Sequence, residues 1–183
     1  VIKSALISSK EKTRFLERNY KKILRKDKNI ILNMISKIIK IKLYYVSKDE
    51  KEKNMRMFLN YGHTIGQAIE SAFPLKMEHY RHGEAVALGM LCVSFIGEKY
   101  FNVKNLFQDH IKILEKFNLP RHIHKFNKSK EQMSRIILNN IIKDKKKDHT
   151  GVRYVLLKGI GKPQIVSNVD ESIVKESILR LLN

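Results

Sequence analysis

The stretch RMFLNYGHTIGQAIESAFPLKMEHYRHGEAVALGMLC, from Arg56 to Cys92, decides the fold and the chemistry of this chain. Polar residues recur within it at alternating steps of four and three, which stacks side chains along one face of an α-helix. We therefore expect a single helix that carries a polar ribbon made of Arg56, Asn60, His63, Gln67 and Glu70. A guanidinium, two amides, an imidazole and a carboxylate on one face indicate a site that grips an anion or a metal ion.

A second histidine, His82, follows soon afterwards and precedes a run of small and apolar residues, 85–90. Two histidines at neighbouring helix starts can converge, and two neutral imidazoles with a carboxylate make an open site for Zn²⁺ or a similar ion. The alternative is that each histidine satisfies a core hydrogen bond or caps a helix. The third ligand is not determined: Glu70, Glu84 or a carboxylate from elsewhere are all open.

Cationic and amide side chains that can clamp an anionic substrate lie on both sides of His63: Lys3, Lys42, Arg56 and Asn60. Arginine offers a planar fork and lysine a point charge. Ordinary surface charge is the alternative for each of them. Lys145 and Lys146 fall in a polar stretch and are equally compatible with a solvated loop.

Composition restricts the class of protein. The 183 residues, 43% of them hydrophobic, are enough for one globular domain with a core. The net charge is +19, but 28 of the 37 basic residues are lysines spread along the whole chain, so we expect no specific nucleic-acid partner. The single cysteine, Cys92, excludes an internal disulfide and favours a reducing compartment.

Two features concern the ends and the membrane. The apolar run 85–96 is too short and too interrupted to span a bilayer, so no membrane partner is expected. The chain opens on Val1 in a helical pattern, and we expect it to be a fragment of a longer protein.

Hydrophobic periodicity predicts a mainly α fold: one helical bundle domain over 1–183 with a short C-terminal β-hairpin. We expect helices over about 12–25, over 30–45, and along the ribbon up to 73. Further helices begin near 83, 106, 129 and 170, and strands lie at 153–157 and 164–166. The helix over 30–45 carries the apolar stripe Ile31, Met34, Ile35, Ile38 and Tyr45, with Lys42 on the same face. The slim helix after Gly83 is expected to be the buried centre.

The motifs Asn60-Tyr61-Gly62-His63-Thr64-Ile65-Gly66 and 82–90 (HGEAVALGM) resemble the C-terminal domain of 3-dehydroquinate synthase. The likeness covers nearly the whole chain and includes Lys3, Lys42 and the stretch 144–161. It implies an NAD- and metal-dependent carbon–oxygen lyase of the shikimate pathway of aromatic amino acid biosynthesis. That enzyme converts 3-deoxy-D-arabino-heptulosonate 7-phosphate, a phosphorylated sugar acid, to 3-dehydroquinate with loss of phosphate.

The resemblance also implies roles for individual residues. His63 and His82 become ligands of a divalent metal, zinc or cobalt, whose third ligand, a glutamate, would stand just before Val1. Lys3, Lys42, Arg56 and Asn60 line the substrate pocket, Lys145 or Lys146 closes on it, and Gln67 stands at a further catalytic position. NAD would be held mainly by an N-terminal domain that this chain lacks, so we expect the fragment alone to be inactive. A cytoplasmic homodimer is expected for the intact protein.

One departure from the family pattern bears on activity. The family has a second histidine four residues after the first, where this chain has Gln67, which cannot carry a proton at neutral pH. Three alternatives therefore stand beside the dehydroquinate synthase: a sibling sugar-phosphate cyclase that closes a neutral sugar, a decayed relative, and a basic helical binding module without catalysis.

Overall fold

A bundle of α-helices, a β-hairpin and a final helix follow one another along the chain. The computed structural model describes residues 1–51, 54–73, 80–124, 127–146 and 151–182, leaving out the side chains of 144–146. The helices are α1 (Ile2–Ser8), α2 (Lys10–Leu24), α3 (Lys28–Lys48), a 3-10 helix (Met55–Asn60), α4 (His63–Ala72), α5 (His82–Phe101), α6 (Leu106–Lys116), α7 (Lys130–Lys146) and α8 (Glu171–Leu179). The strands are β1 (Arg153–Leu157) and β2 (Pro163–Ser167). The predicted mainly α fold with a C-terminal hairpin is confirmed.

Helix α5 is the centre of the bundle. Every residue from 85 to 97 is buried, as expected from its apolar and small side chains, and α4, α6, α8 and β1 all pack against it. The closest approach is to the start of α4. A Cβ atom added at Gly89 would lie 2.0 Å from the carbonyl oxygen of Gly62 and 2.7 Å from the amide nitrogen of Gly66. Only hydrogen fits there, so glycine brings the two helices into backbone contact.

Helix starts are capped by the side chains that the sequence offers. Ser129 and Gln132 form the predicted capping box. The backbone amide of Gln132 donates to the Ser129 hydroxyl at 3.2 Å, and the backbone amide of Ser129 donates to the side-chain Oε1 of Gln132 at 3.1 Å. Asp170 accepts from the Ser172 amide at 2.8 Å and so caps α8, also as predicted. These caps satisfy amides that have no partner inside their helices.

The predicted stripe on α3 is only partly right. Met34 and Tyr45 are buried, but Ile35 is 44% exposed, and Lys42 is exposed instead of lying in a buried row. Ile41, which the predicted stripe omitted, is buried. The physical reason is that α3 packs against α1, α2 and the 3-10 helix along one narrow side, so apolar residues to either side stay in contact with solvent.

The hairpin closes the bundle against α5. Strand β1 pairs antiparallel with β2, from Arg153 opposite Ser167 to Leu157 opposite Pro163. Residues 154–157 of β1 are buried, whereas Val166 is the one buried residue of β2. Within the described part of the chain, no helix combines the length and apolar character that crossing a membrane requires.

Candidate functional site

The polar ribbon is not one helix. The 3-10 helix ends at Asn60, Gly62 adopts a left-handed backbone with φ of 79°, and α4 begins at His63. The prediction of a continuous ribbon is therefore wrong, because close packing of Gly62 on α5 needs a conformation that no helix contains. His63, Gln67 and Glu70 share α4, whereas Arg56 and Asn60 belong to the preceding segment.

His63 is held on both sides of its ring. Its Nδ1 atom lies 3.3 Å from the carbonyl oxygen of Tyr61, and a carbonyl can only accept, so Nδ1 carries the proton. Nε2 then keeps its lone pair and lies 3.4 Å from the Lys3 ammonium. Burial, followed by the charge of Lys3, lowers the pKa of His63 to about 4. The imidazole is neutral at physiological pH, which is the form that binds a metal.

His82 meets His63 across the gap between the two helix starts. The ring centres are 5.4 Å apart and the rings are nearly perpendicular, at 71°. The Nδ1 atom of His82 lies 3.1 Å from a carboxylate oxygen of Glu70. Because the carboxylate accepts a hydrogen bond from Nδ1, the proton lies on Nδ1. The unprotonated Nε2 can then bind a metal ion. The predicted convergence of the two histidines is confirmed.

The donor set fits a divalent transition metal. Two imidazoles that bind one tetrahedral ion through Nε2 at about 2.1 Å place their ring centres roughly 5 Å apart, close to the observed 5.4 Å. Both rings have their Nδ1 atoms engaged by oxygen acceptors, the usual support of metal-binding histidines. In the part of the chain that the structure describes, no three His, Cys, Asp or Glu side chains form a complete metal-binding group. His63 and His82 could supply two of the ligands that such an ion needs.

The two glutamates considered as third ligands have other partners. Glu70 supports His82. Glu84 accepts from the Arg81 amide at 2.8 Å and so caps the first turn of α5.

Lys3 brings positive charge to His63, and Lys42 adds positive charge beside Lys3. The Lys3 ammonium donates to the carbonyl of Leu59. Burial, and then the charge of Lys42, lowers the pKa of Lys3 to about 8. The structure thus places the two lysines near each other although they lie on α1 and α3. This is a location suited to an anionic ligand.

Arg56 and Asn60 lie on the 3-10 helix that leads to His63. Asp49 fixes the start of this segment, since its carboxylate accepts from the amides of Asn54 at 2.7 Å and Arg56 at 3.0 Å. The Arg56 guanidinium donates to the Glu50 carbonyl at 2.9 Å. Both predicted clamp residues are half-buried on the stretch that Lys3 contacts through Leu59.

The structure describes the remaining predicted site residues to different extents. Gln67 is exposed on α4, one turn after His63. Lys145 and Lys146 belong to the last turn of α7, and their side chains lie outside the described residues. Helix α7 itself packs against α4, where the Asn140 amide donates to the Ala68 carbonyl at 3.2 Å.

A cavity of about 740 Å³ opens at the two histidines. Its polar lining includes Lys3, His63, Arg81, His82 and Glu84. Its apolar lining includes Ile2, Ile23, Met34, Val86, Met90, Phe117 and Leu119. A cavity of this size accommodates a small organic ligand, and the two cations Lys3 and Arg81 outnumber the carboxylate of Glu84, which favours an anionic ligand.

Two groups of contacts were not found by sequence reasoning. Tyr61 and His110 are fully buried and their side chains meet at 2.8 Å. The second contact joins Glu70 and His82, whereas the sequence offers Glu70 only as a possible metal ligand. His110 lies on the apolar face of α6 with Leu106 and Leu114, so the helical periodicity of the sequence indicates that it is buried. Its partner Tyr61 is 49 residues away in sequence.

Comparison with known proteins connects this site to a family of cyclases. The profile described as 3-dehydroquinate synthase C-terminal matches residues 1–147. The 3-dehydroquinate synthases of Thermodesulfovibrio yellowstonii and Prochlorococcus marinus are 38% and 37% identical to the chain, over 100% and 94% of its length and 48% and 46% of theirs. The chain thus spans about half the length of the curated relatives it matches.

Solved structures give the same fold. The 2-epi-5-epi-valiolone synthase of Streptomyces hygroscopicus subsp. jinggangensis, with NAD⁺ and Zn²⁺ bound, matches with a TM-score of 0.78 at 18% identity, over 98% of this chain and 48% of that one. A 2-deoxy-scyllo-inosose synthase complexed with carbaglucose-6-phosphate, NAD⁺ and Co²⁺ matches with a TM-score of 0.75 at 26% identity, over 99% of this chain and 50% of that one.

Proposed function

The chain belongs to the 3-dehydroquinate synthase family, and on that premise we propose that it is the metal- and substrate-binding half of such an enzyme. The reaction is the conversion of 3-deoxy-D-arabino-heptulosonate 7-phosphate to 3-dehydroquinate with loss of phosphate. The observation that carries the proposal is the pairing of His63 with His82, 5.4 Å apart, at a cavity that Lys3 also lines.

His63 and His82 would hold the metal through their Nε2 atoms. When bound, a divalent zinc or cobalt ion would supply Lewis-acid polarisation of a substrate hydroxyl oxygen. The relatives in complex with NAD⁺ and Zn²⁺ or Co²⁺ support this choice of cofactors. NAD would be held mainly by the half of the protein that this chain does not contain.

The chain's own charges would bind and orient the substrate. Lys3 and Lys42 present two cations of like sign close together, and their mutual repulsion is relieved when an anion binds between them. Arg56 adds a planar guanidinium suited to a carboxylate, and Asn60 adds an amide. Lys145 or Lys146, at the end of α7, would close over the ligand.

We expect Gln67 to lower the rate of turnover by the intact protein. An amide at this position can donate a hydrogen bond to a phosphate oxygen, but it neither accepts nor releases a proton at neutral pH. General acid–base catalysis contributes roughly 10²–10⁴-fold when a titratable group is in place. We therefore expect the intact protein to turn over slowly, and the chain alone to be inactive.

The test is phosphate release from 3-deoxy-D-arabino-heptulosonate 7-phosphate by the intact protein with NAD⁺ and Zn²⁺. We expect His63→Ala and His82→Ala each to reduce kcat/KM at least a hundredfold, and the exposed His124→Ala to leave it unchanged. Retained activity in either site variant would contradict the proposal. Turnover by the chain without its other half would refute the expected inactivity of the fragment.

A sibling sugar-phosphate cyclase is the second candidate, favoured by the likeness to 2-deoxy-scyllo-inosose synthase. Arg56 and Lys42 favour a carboxylate-bearing substrate instead. Assaying the intact protein with a hexose 6-phosphate, which has no carboxylate, beside the heptulosonate decides between them.

Two further parts of the proposal concern partners. A cytoplasmic homodimer is proposed for the intact protein and is tested by sedimentation equilibrium.

A basic binding module without catalysis predicts steeply salt-dependent nucleic-acid binding that survives His63→Ala and His82→Ala, and we expect no such binding.

A further inference from the structure

A buried polar pair lies directly behind the first metal-binding histidine. Tyr61 and His110 are both 0% exposed, and the Tyr61 hydroxyl lies 2.8 Å from Nε2 of His110. Nδ1 of His110 lies 2.7 Å from the carbonyl of Leu106, one turn earlier on α6. We call these two side chains the Tyr61–His110 anchor.

The direction of each hydrogen bond in the anchor is fixed. A carbonyl only accepts, so Nδ1 of His110 donates to Leu106 and Nε2 is left with a lone pair. The Tyr61 hydroxyl must then be the donor. Burial lowers the pKa of His110 to about 4 and raises that of Tyr61, which keeps both groups neutral. Every polar atom of the two side chains has a partner, as burial requires.

The anchor is connected to the site through the backbone of Tyr61. The carbonyl of this residue accepts from Nδ1 of His63 at 3.3 Å, and that bond selects the tautomer in which Nε2 keeps its lone pair. The peptide lies at the turn where the 3-10 helix gives way to α4, just before Gly62 with its φ of 79°. Gly62 is held by its contact with α5, so the anchor and this contact act together on the peptide that carries the Tyr61 carbonyl.

We infer that the Tyr61–His110 anchor is a positioning device that holds the Tyr61 carbonyl on Nδ1 of His63 and thereby aims Nε2 of His63 at the metal. The inference rests on the proposed function for the metal, but the ring orientation it concerns can be measured in the metal-free protein. Neither residue contacts the cavity, so both are positioning residues.

Long-range ¹H–¹⁵N NMR of the ¹⁵N-histidine-labelled chain measures the tautomer of His63 without metal. We expect the wild type to carry the proton on Nδ1, and Tyr61→Phe and His110→Leu each to increase the Nε2-protonated fraction several-fold. Zn²⁺ affinity of the same chain, measured by competition with a chromophoric chelator, should fall about tenfold, the lower end of the range for partners of ligating histidines.

Two further variants separate positioning from packing. The double variant Tyr61→Phe/His110→Leu leaves neither side chain with a polar atom, and we expect it to recover stability but not the tautomer or the Zn²⁺ affinity. Tyr45→Phe removes another buried hydroxyl, which donates to the Ile7 carbonyl at 3.1 Å, and should alter neither. If the single variants do not fold, the double variant decides.

The inference is overturned if the wild-type ring carries its proton on Nε2, if the variants keep the wild-type tautomer, or if Tyr45→Phe shifts it equally. Restoration of the tautomer in the double variant would also overturn it, because packing alone would then suffice. A wild-type chain that binds no Zn²⁺ counts against the proposed function, and the tautomer measurement still decides the inference.

Discussion

Replacing Gly89 by alanine tests the contact that brings the two histidines together. The new methyl group would stand 2.0 Å from the Gly62 carbonyl oxygen and 2.7 Å from the Gly66 amide nitrogen. Both atoms are backbone, so neither can rotate away, and α4 must move from α5 by about 1 Å or more to reach ordinary contact distance. Overpacking of this kind costs typically about 1–3 kcal/mol and occasionally more.

The helix propensity of alanine offsets about 1 kcal/mol of this cost. Because the obstacle is rigid backbone, we expect an overpacking cost above the typical range, about 3–4 kcal/mol, and therefore a net loss of about 2–3 kcal/mol, a substantial part of the roughly 5–15 kcal/mol that stabilises a typical domain. With a urea slope of about 2 kcal/mol/M, the midpoint of unfolding falls by about 1–1.5 M. Chemical denaturation followed by far-UV circular dichroism measures this shift.

Gly83→Ala is the matched control. It makes the same substitution on the same helix, where no atom lies within 4 Å of the added methyl group. We expect its midpoint to stay at the wild-type value or to rise by up to about 0.5 M, since the helix propensity of alanine adds up to about 1 kcal/mol and the methyl group meets no atom. Equal midpoints for Gly89→Ala and the wild type would refute the packing argument, and equal losses in both variants would show that glycine loss in general is responsible.

Three further predictions concern the site and its support. Glu70→Ala should weaken Zn²⁺ binding by the chain about tenfold and leave the urea midpoint nearly unchanged, because the pair with His82 is exposed; undiminished affinity in a calorimetric titration would contradict the supporting role of Glu70. His110 has a folded pKa of about 4 against 6.5 when solvated, so the unfolded state takes up the proton first and stability falls as pH drops from 6.5 to 4, by at most about 1.4 kcal/mol per unit. Urea unfolding across that pH range should show a shallower decline for His110→Leu, and an identical slope would argue against a neutral buried His110. Gln67→His should raise kcat of the intact protein at least tenfold in the phosphate-release assay; no increase would show that this position does not move protons.

The elements of the bundle could be predicted because their signals are local. Ser129 with Gln132 and the slim run after Gly83 act within one or two helical turns, and the structure confirms both. The convergence of His63 with His82 was also predictable, since each stands at a helix start.

Other features depended on contacts that spacing does not contain. The break at Gly62 comes from its packing against α5. The helical periodicity of the sequence does not reveal a single residue with positive φ. Lys42 and Ile35 are exposed because α3 is covered on one side only. Tyr61 and His110 meet across 49 residues, and nothing in either local pattern names the other.

An anomalous-scattering map of the intact protein crystallised with Zn²⁺ tests most directly whether His63 and His82 share one metal ion. We predict one strong peak at about 2.1 Å from Nε2 of both His63 and His82, with Nδ1 of His63 still facing the Tyr61 carbonyl and Nδ1 of His82 still facing the Glu70 carboxylate. A zinc ion bound elsewhere, or one coordinated by only one of these two imidazoles, would contradict it.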